Sequence, residues 1–153
     1  MRYFTKELLV AISSCDRKKA EKAMLQLKEN HKLYLQEWQR IKYKLPRTVR
    51  RYFEKYGSFH DYVFVEIRFC QGGHGKKVCF LELCNEKNKN ICIKLRDVSS
   101  ILINIESFQD CIMSQLTWLY SEFELLKGNK MKLSILCASD AEMVFEFKKI
   151  SIG

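Results

Sequence analysis

Phe59-His60-Asp61 brings an imidazole and a carboxylate together, and His74 follows in a glycine-rich stretch. Two histidines and one carboxylate are a candidate metal set, or the start of an acid–base pair. Neighbouring residues on a strand point to opposite faces, so His60 and Asp61 converge only if the backbone turns there. The plainer alternative is that they order the junction through hydrogen bonds to local backbone. Gly72-Gly73-His74-Gly75-Lys76-Lys77 has the flavour of a phosphate loop. It lacks the Gly-x-x-x-x-Gly-Lys-Ser/Thr spacing, and a strand pattern follows where a helix is needed, so it reads as a flexible hairpin loop.

Other candidate chemistry is more diffuse. The segment from Arg40 to Lys55 interleaves Tyr43, Tyr52, Phe53 and Tyr56 with basic side chains, among them Arg47, Arg50, Arg51 and Lys55. Cations neutralise phosphates and aromatic rings stack on bases, so these four residues are the candidate anion or nucleic-acid site. An amphipathic helix with a basic solvent face gives the same pattern. Glu66, Glu82, Glu122 and Glu124 do acid–base work only if two of them meet in a pocket, and solvated strand positions explain them as well. His31, within an apolar helical stripe, reads as an interior or rim histidine. No Gly-x-Ser-x-Gly, His-Glu-x-x-His or dinucleotide fingerprint is present.

The elements that must position these groups change type near residue 58. Thr5 suits the N-cap of a short helix carrying Leu8, Leu9 and Ile12, and Asp16 suits the N-cap of the next. Ala20, Met24, Leu27, His31, Tyr34, Trp38, Ile41 and Leu45 alternate in steps of four and three, which predicts one long amphipathic helix. The stripe permits a dimer seam, but packing on the chain's own sheet is the expected use. Pro46 ends that helix and opens a third, with Gly57 placed as its C-cap. Beyond residue 58 the period becomes two. Short apolar runs around Val63–Phe69, Cys79–Leu83, Ile91–Leu95, Ile101–Ile105, Leu119–Leu125, Met131–Cys137 and Met143–Phe147 are separated by turn residues. Gly128-Asn129 is a two-residue hairpin signal, and residues 106–115 read as irregular or a single helical turn. The expectation is an α+β protein: a basic helical region over 1–57, then a six- or seven-stranded antiparallel sheet over 58–153, packed as one unit.

Charge follows the same division. Of the net +9, residues 1–57 hold 15 Lys and Arg against 6 Asp and Glu, while the remainder holds 12 of each. The basic excess therefore belongs to the helices. The seven cysteines are Cys15, Cys70, Cys79, Cys84, Cys92, Cys111 and Cys137, with no Cys-x-x-Cys pair. They read as reduced thiols used as small hydrophobes in a cytoplasmic protein. Arg2 and Lys6 enter too early for a secretory signal, and no apolar run approaches the roughly 20 residues of a membrane helix.

Two stretches resemble known sequences. Tyr3-Phe4-Thr5-Lys6-Glu7-Leu8 resembles the opening of an uncharacterised Bacillota family known only as a domain of unknown function. Phe59-His60-Asp61, then Ile93-Lys94-Leu95-Arg96-Asp97-Val98 and the later strand from Trp118 to Glu122, resemble that family and small immunity-protein-like sheets. The resemblance implies a bacterial, cytoplasmic α+β protein and transfers no catalytic residue; an immunity role rests on fold analogy.

Together these readings favour a non-enzymatic interaction module without a cofactor, working on a protein partner or by self-association. Its expected surface is a mixed sheet face of Tyr62, Phe64, Phe80, Trp118, Tyr120 and Glu122, where aromatic anchors would meet a partner. Nucleic-acid or acidic-partner binding through the basic helices is the alternative. A metal-dependent enzyme on His60, Asp61 and His74 is the third.

Overall fold

The computed structural model describes residues 1–56, 59–87, 89–105, 116–139 and 141–153, with Tyr56 described by its backbone alone. The architecture is α+β, with N-terminal helices followed by antiparallel sheets. Thr5 Oγ1 accepts the Leu8 amide at 3.3 Å and starts α1, Lys6–Ile12. Asp16 accepts the amides of Lys18 and Lys19 at 3.0 and 3.2 Å and starts α2, Arg17–Ile41. A carboxylate there satisfies N–H groups that have no partner within the helix. A 3-10 turn over Lys42–Lys44 leads to Pro46 and α3, Arg47–Tyr56. The expected C-cap Gly57 lies outside the described residues.

The α2 stripe is only half used. Trp38, Ile41 and Leu45 are buried, Tyr34 and Leu27 are half-buried, and Met24 and His31 are exposed. The physical reason is what lies opposite. Tyr34 and Trp38, toward the C-terminal end of α2, meet Phe123 of the strand over Trp118–Leu126, while α1, which also packs on α2, is a seven-residue helix with no buried side chain.

Eight strands follow among the described residues: β1 (Val63–Gln71), β2 (Lys77–Cys84), β3 (Asn90–Arg96), β4 (Ser100–Asn104), β5 (Trp118–Leu126), β6 (Lys130–Cys137), β7 (Glu142–Phe147) and β8 (Lys149–Ile152). They form two four-stranded antiparallel sheets, ordered β1-β2-β3-β8 and β4-β7-β6-β5. The expected single sheet of six or seven strands is thus two sheets of eight strands in all. The cause is a shared corner. β3 passes through Asp97, at φ +55°, into β4, and β7 passes through Lys148 into β8. Both bends are tied: the Lys148 amide donates to Arg96 O at 3.1 Å and the Ser99 amide to Glu146 O at 2.8 Å. The β5–β6 turn runs over Lys127, Gly128 and Asn129, one residue longer than the two-residue hairpin, with both Gly128 and Asn129 at positive φ.

One apolar core includes the inward residues of both sheets together with Trp38, Ile41, Leu45, Val49 and Phe53 from the helical part. The helices meet the edge strands β5 and β8. No helix among the described residues is long and apolar enough to cross a membrane.

Candidate functional site

The six residues expected to form one partner-binding face are dispersed, and two β-bulges are the reason. Register shifts occur between Phe64 and Glu66 on β1 and between Trp118 and Tyr120 on β5. A bulge adds one residue, and one residue reverses which face every later side chain takes. Phe64 therefore lies opposite Leu83, and Trp118 opposite Cys137, both turned into the core. Neither is exposed at all, and their rings stack on each other at 5.7 Å, 6° from parallel. A side chain in that position cannot anchor a partner. The Trp118 indole Nε1 is buried without a hydrogen-bond partner among the described residues.

The other four occupy three settings. Tyr120 stacks on Phe4 at 4.9 Å. Glu122, 7% exposed, accepts the amides of Arg2, Tyr3 and Phe4 at 2.7, 2.7 and 2.8 Å. These two are taken up by the N-terminal segment. Tyr62 belongs to the pocket described next. Phe80 alone lies on the outer side of the β1-β2-β3-β8 sheet, with Arg68 and Lys94 at 5.2 and 4.9 Å from its ring.

Around the His60–Asp61 junction the backbone does turn. Asp61 sits at φ +68°, and its carboxylate Oδ2 lies 2.9 Å from His60 Nδ1. Beside the pair is a pocket of about 420 Å³ reached by Tyr52, Tyr62, Asn85, Lys87 and Lys89. The Tyr52 and Tyr62 hydroxyls are 3.4 Å apart, and Asn85 Nδ2 donates to Tyr62 at 3.3 Å. Asn85 Oδ1 in turn accepts the amides of Lys87 and Lys89. The arrangement offers hydrogen bonds to a small polar ligand. His60 and Asp61 are 47% and 66% exposed at the side chain, so solvent screens the pair. His74 does not join them. It sits in the turn beyond Gln71, and β1's nine residues at about 3.3 Å each put roughly 30 Å between that turn and Asp61. Among the described residues no three His, Cys, Asp or Glu side chains converge as metal ligands. The expected set His60, Asp61 and His74 is therefore not assembled.

The basic segment keeps its coherence. On α3, Arg47, Arg50, Arg51 and Lys55 recur at intervals of three and four, which places them on one face. The opposite face carries Val49 and Phe53, both in the core. Glu54 is on the basic side, paired with Lys42 at 3.1 Å. Tyr43 precedes the helix and is 70% exposed, with Arg50 and Lys42 at 5.1 and 5.2 Å from its ring. Arg47 and Arg51 are exposed.

Two features escaped the sequence reading. Tyr34 accepts the Phe123 amide at 2.8 Å, satisfying the edge of β5 from α2; burial pushes the hydroxyl well above its ordinary range. The Glu122 clamp is the other: the sequence around Glu122 suits a solvated or partner-facing carboxylate, because nothing local marks one whose donors come from residues 2–4. The thiols divide by burial. Cys79 and Cys137 are buried, Cys15 and Cys70 exposed, and none of the six described cysteines is in a disulfide, while Cys111 lies outside the described residues. Burial raises the Cys79 thiol to about 12.

No family model matches the chain, and no curated protein matches it. Among solved structures the chain is similar to an uncharacterized protein from Neisseria gonorrhoeae, at 15% identity and a TM-score of 0.49. That similarity covers 61% of this chain and 91% of the other.

Proposed function

We propose that the chain is a non-enzymatic binding module whose partner is anionic and is engaged by the basic face of α3. The observation that carries this reading is the common face of Arg47, Arg50, Arg51 and Lys55 on a helix whose other side is locked into the core. A helix fixed by its opposite face presents this row of cations as a line of positive charge that suits a line of negative charge. The sheet face that would have served an apolar partner is largely taken up by the chain itself, which moves the interaction surface from strand to helix. Nucleic acid and an acidic protein surface both fit the charge. Cytoplasmic location, bacterial origin and an immunity-like role belong to the same proposal and rest on the sequence resemblance.

The test is binding of a fluorescent mixed-sequence oligonucleotide, and separately of an acidic polypeptide, across 25–300 mM salt (on the order of the range where screening changes most). One of the two should bind at low salt and weaken steeply as salt rises. Arg47→Gln and Arg51→Gln should each reduce the salt slope by about one, the signature of one lost phosphate contact. Absence of binding to both polyanions at the lowest salt refutes the reading.

A further inference from the structure

The outer side of the β1-β2-β3-β8 sheet carries a second concentration of positive charge that owes nothing to α3. Arg96 on β3 and Lys149 on β8 are directly opposite in register, and Lys94 stands two residues along β3 on the same side. Like charges directly opposite across a ladder repel and destabilise the pair. Here they also share a pocket of about 310 Å³ with Lys76, under the turn that starts at Gly72. Its one carboxylate among the described residues is Asp97, which lies 3.5 Å from Lys76 Nζ. Among the described residues Lys94, Arg96 and Lys149 have no carboxylate within ion-pair distance.

The turn itself is tightly built. The Gly72 amide donates to Lys76 O at 2.7 Å, and a Cβ on Gly72 would come within 3.2 Å of Val78 and 3.3 Å of Lys76 O. A side chain at Gly72 would crowd both neighbours, and the turn bond places Lys76 among the pocket's lining residues. Four cations facing one carboxylate, two of them forced together by strand register, make a site that a compact dianion would relieve. We infer that this pocket binds a phosphate group carried by a small molecule, either a free polyphosphate or a nucleoside phosphate. Arg96 offers the planar fork that matches phosphate oxygens, and the lysines supply point charge.

None of the pocket's residues belongs to α3. It is tested by thermal unfolding of the full chain with inorganic pyrophosphate or ATP, against sodium chloride of equal ionic strength. Pyrophosphate should raise the unfolding midpoint saturably, and broaden its own phosphorus resonance, beyond the chloride control. A larger effect of ATP identifies a nucleoside phosphate, and an equal one a free polyphosphate. Arg96→Gln and Lys149→Gln should weaken binding about ten-fold, the loss of one charge-assisted hydrogen bond. Without ligand both variants should unfold no lower than the parent, because each relieves the cross-strand repulsion; they therefore remain folded enough to test. Arg47→Gln and Arg51→Gln on α3 should leave pyrophosphate binding unchanged. No shift beyond the chloride control overturns the site, as does a shift that persists in both sheet variants. A shift lost only in the α3 variants overturns it too, while leaving the α3 proposal standing.

Discussion

Glu122 ties the first residues of the chain to β5. Three consecutive backbone amides point at one buried carboxylate, so its charge is compensated by dipoles rather than by a cation. Beside it, the Met1 ammonium lies 2.7 Å from Glu142 Oε1. Replacing Glu122 by alanine would leave three donors without an acceptor in a site water barely enters. The expected loss is about 3 kcal/mol or more of unfolding free energy, and Glu122→Gln, which keeps one acceptor oxygen, should lose less. Urea titration of the two variants checks the order. Equal, negligible losses would mean that the N-terminal segment contributes little to stability.

At the scale of the element, the bulges at Val65 and Leu119 decide more than any single contact. Strict alternation along β1 places Phe64 with Glu66, and along β5 places Trp118 with Glu122. One extra residue in each strand reverses this for the residues beyond it, and the two rings stack where the starts of β1 and β5 run side by side, with the Trp118 amide donating to Tyr62 O at 2.8 Å and the Phe64 amide to Leu116 O at 3.0 Å. If Phe64 and Trp118 are core, Phe64→Ala and Trp118→Ala should each cost about 3–5 kcal/mol, from lost burial and the cavity left behind. Glu66→Ala, on the exposed side of the same bulge, should stay within about 0.5 kcal/mol. Denaturant midpoints for the three variants test this directly; small losses at both aromatics would restore the exposed-face reading. The pattern in α2 teaches the same lesson in helical form. Its apolar stripe is continuous over the whole length, yet Met24 and His31 on it are exposed while Trp38, Ile41 and Leu45 are buried.

For the whole molecule, the helical layer and the two sheets share one core, and its burial leaves a pH signature. The Cys79 thiol is raised from 9.0 to about 12 by burial first, with the neighbouring Cys70 and Cys92 thiols adding to it. The Tyr34 hydroxyl is raised above its ordinary 10.0 by burial, and the Glu122 charge adds to this. Above pH 9 the unfolded chain gives up these protons while the folded chain keeps them. The unfolded state then binds fewer protons, so stability falls as pH rises from 9 through the folded values. Below pH 9 both groups are protonated in either state and this contribution is fully present. Urea midpoints at pH 8, 9.5 and 10.5 should therefore decline in order, with a shallower decline above pH 10 in Tyr34→Phe; a flat series would show that neither group is held protonated by the fold.

Much was legible from residue types alone. The Thr5 and Asp16 caps, the stop at Pro46, the switch of period near residue 58 and the basic excess of the helices are local properties, set by side-chain chemistry within a few residues. They suffice for an α+β chain and for the face of α3. What only the tertiary structure decided is which residues meet. Phe64 and Trp118 are far apart in sequence; they meet because the starts of β1 and β5 are bridged at Val63 and Thr117, and a bulge just beyond each ring, which no alternation pattern announces, sets the residues that follow on the other face. Glu122 finds its donors 118 to 120 residues away. Arg96 and Lys149 become opposite neighbours only because β3 and β8 pair beside a bent corner. Hydrophobic periodicity specifies how an element faces its surroundings, but a one-residue slip in register costs the sequence almost nothing to conceal and reverses the face of every side chain beyond it.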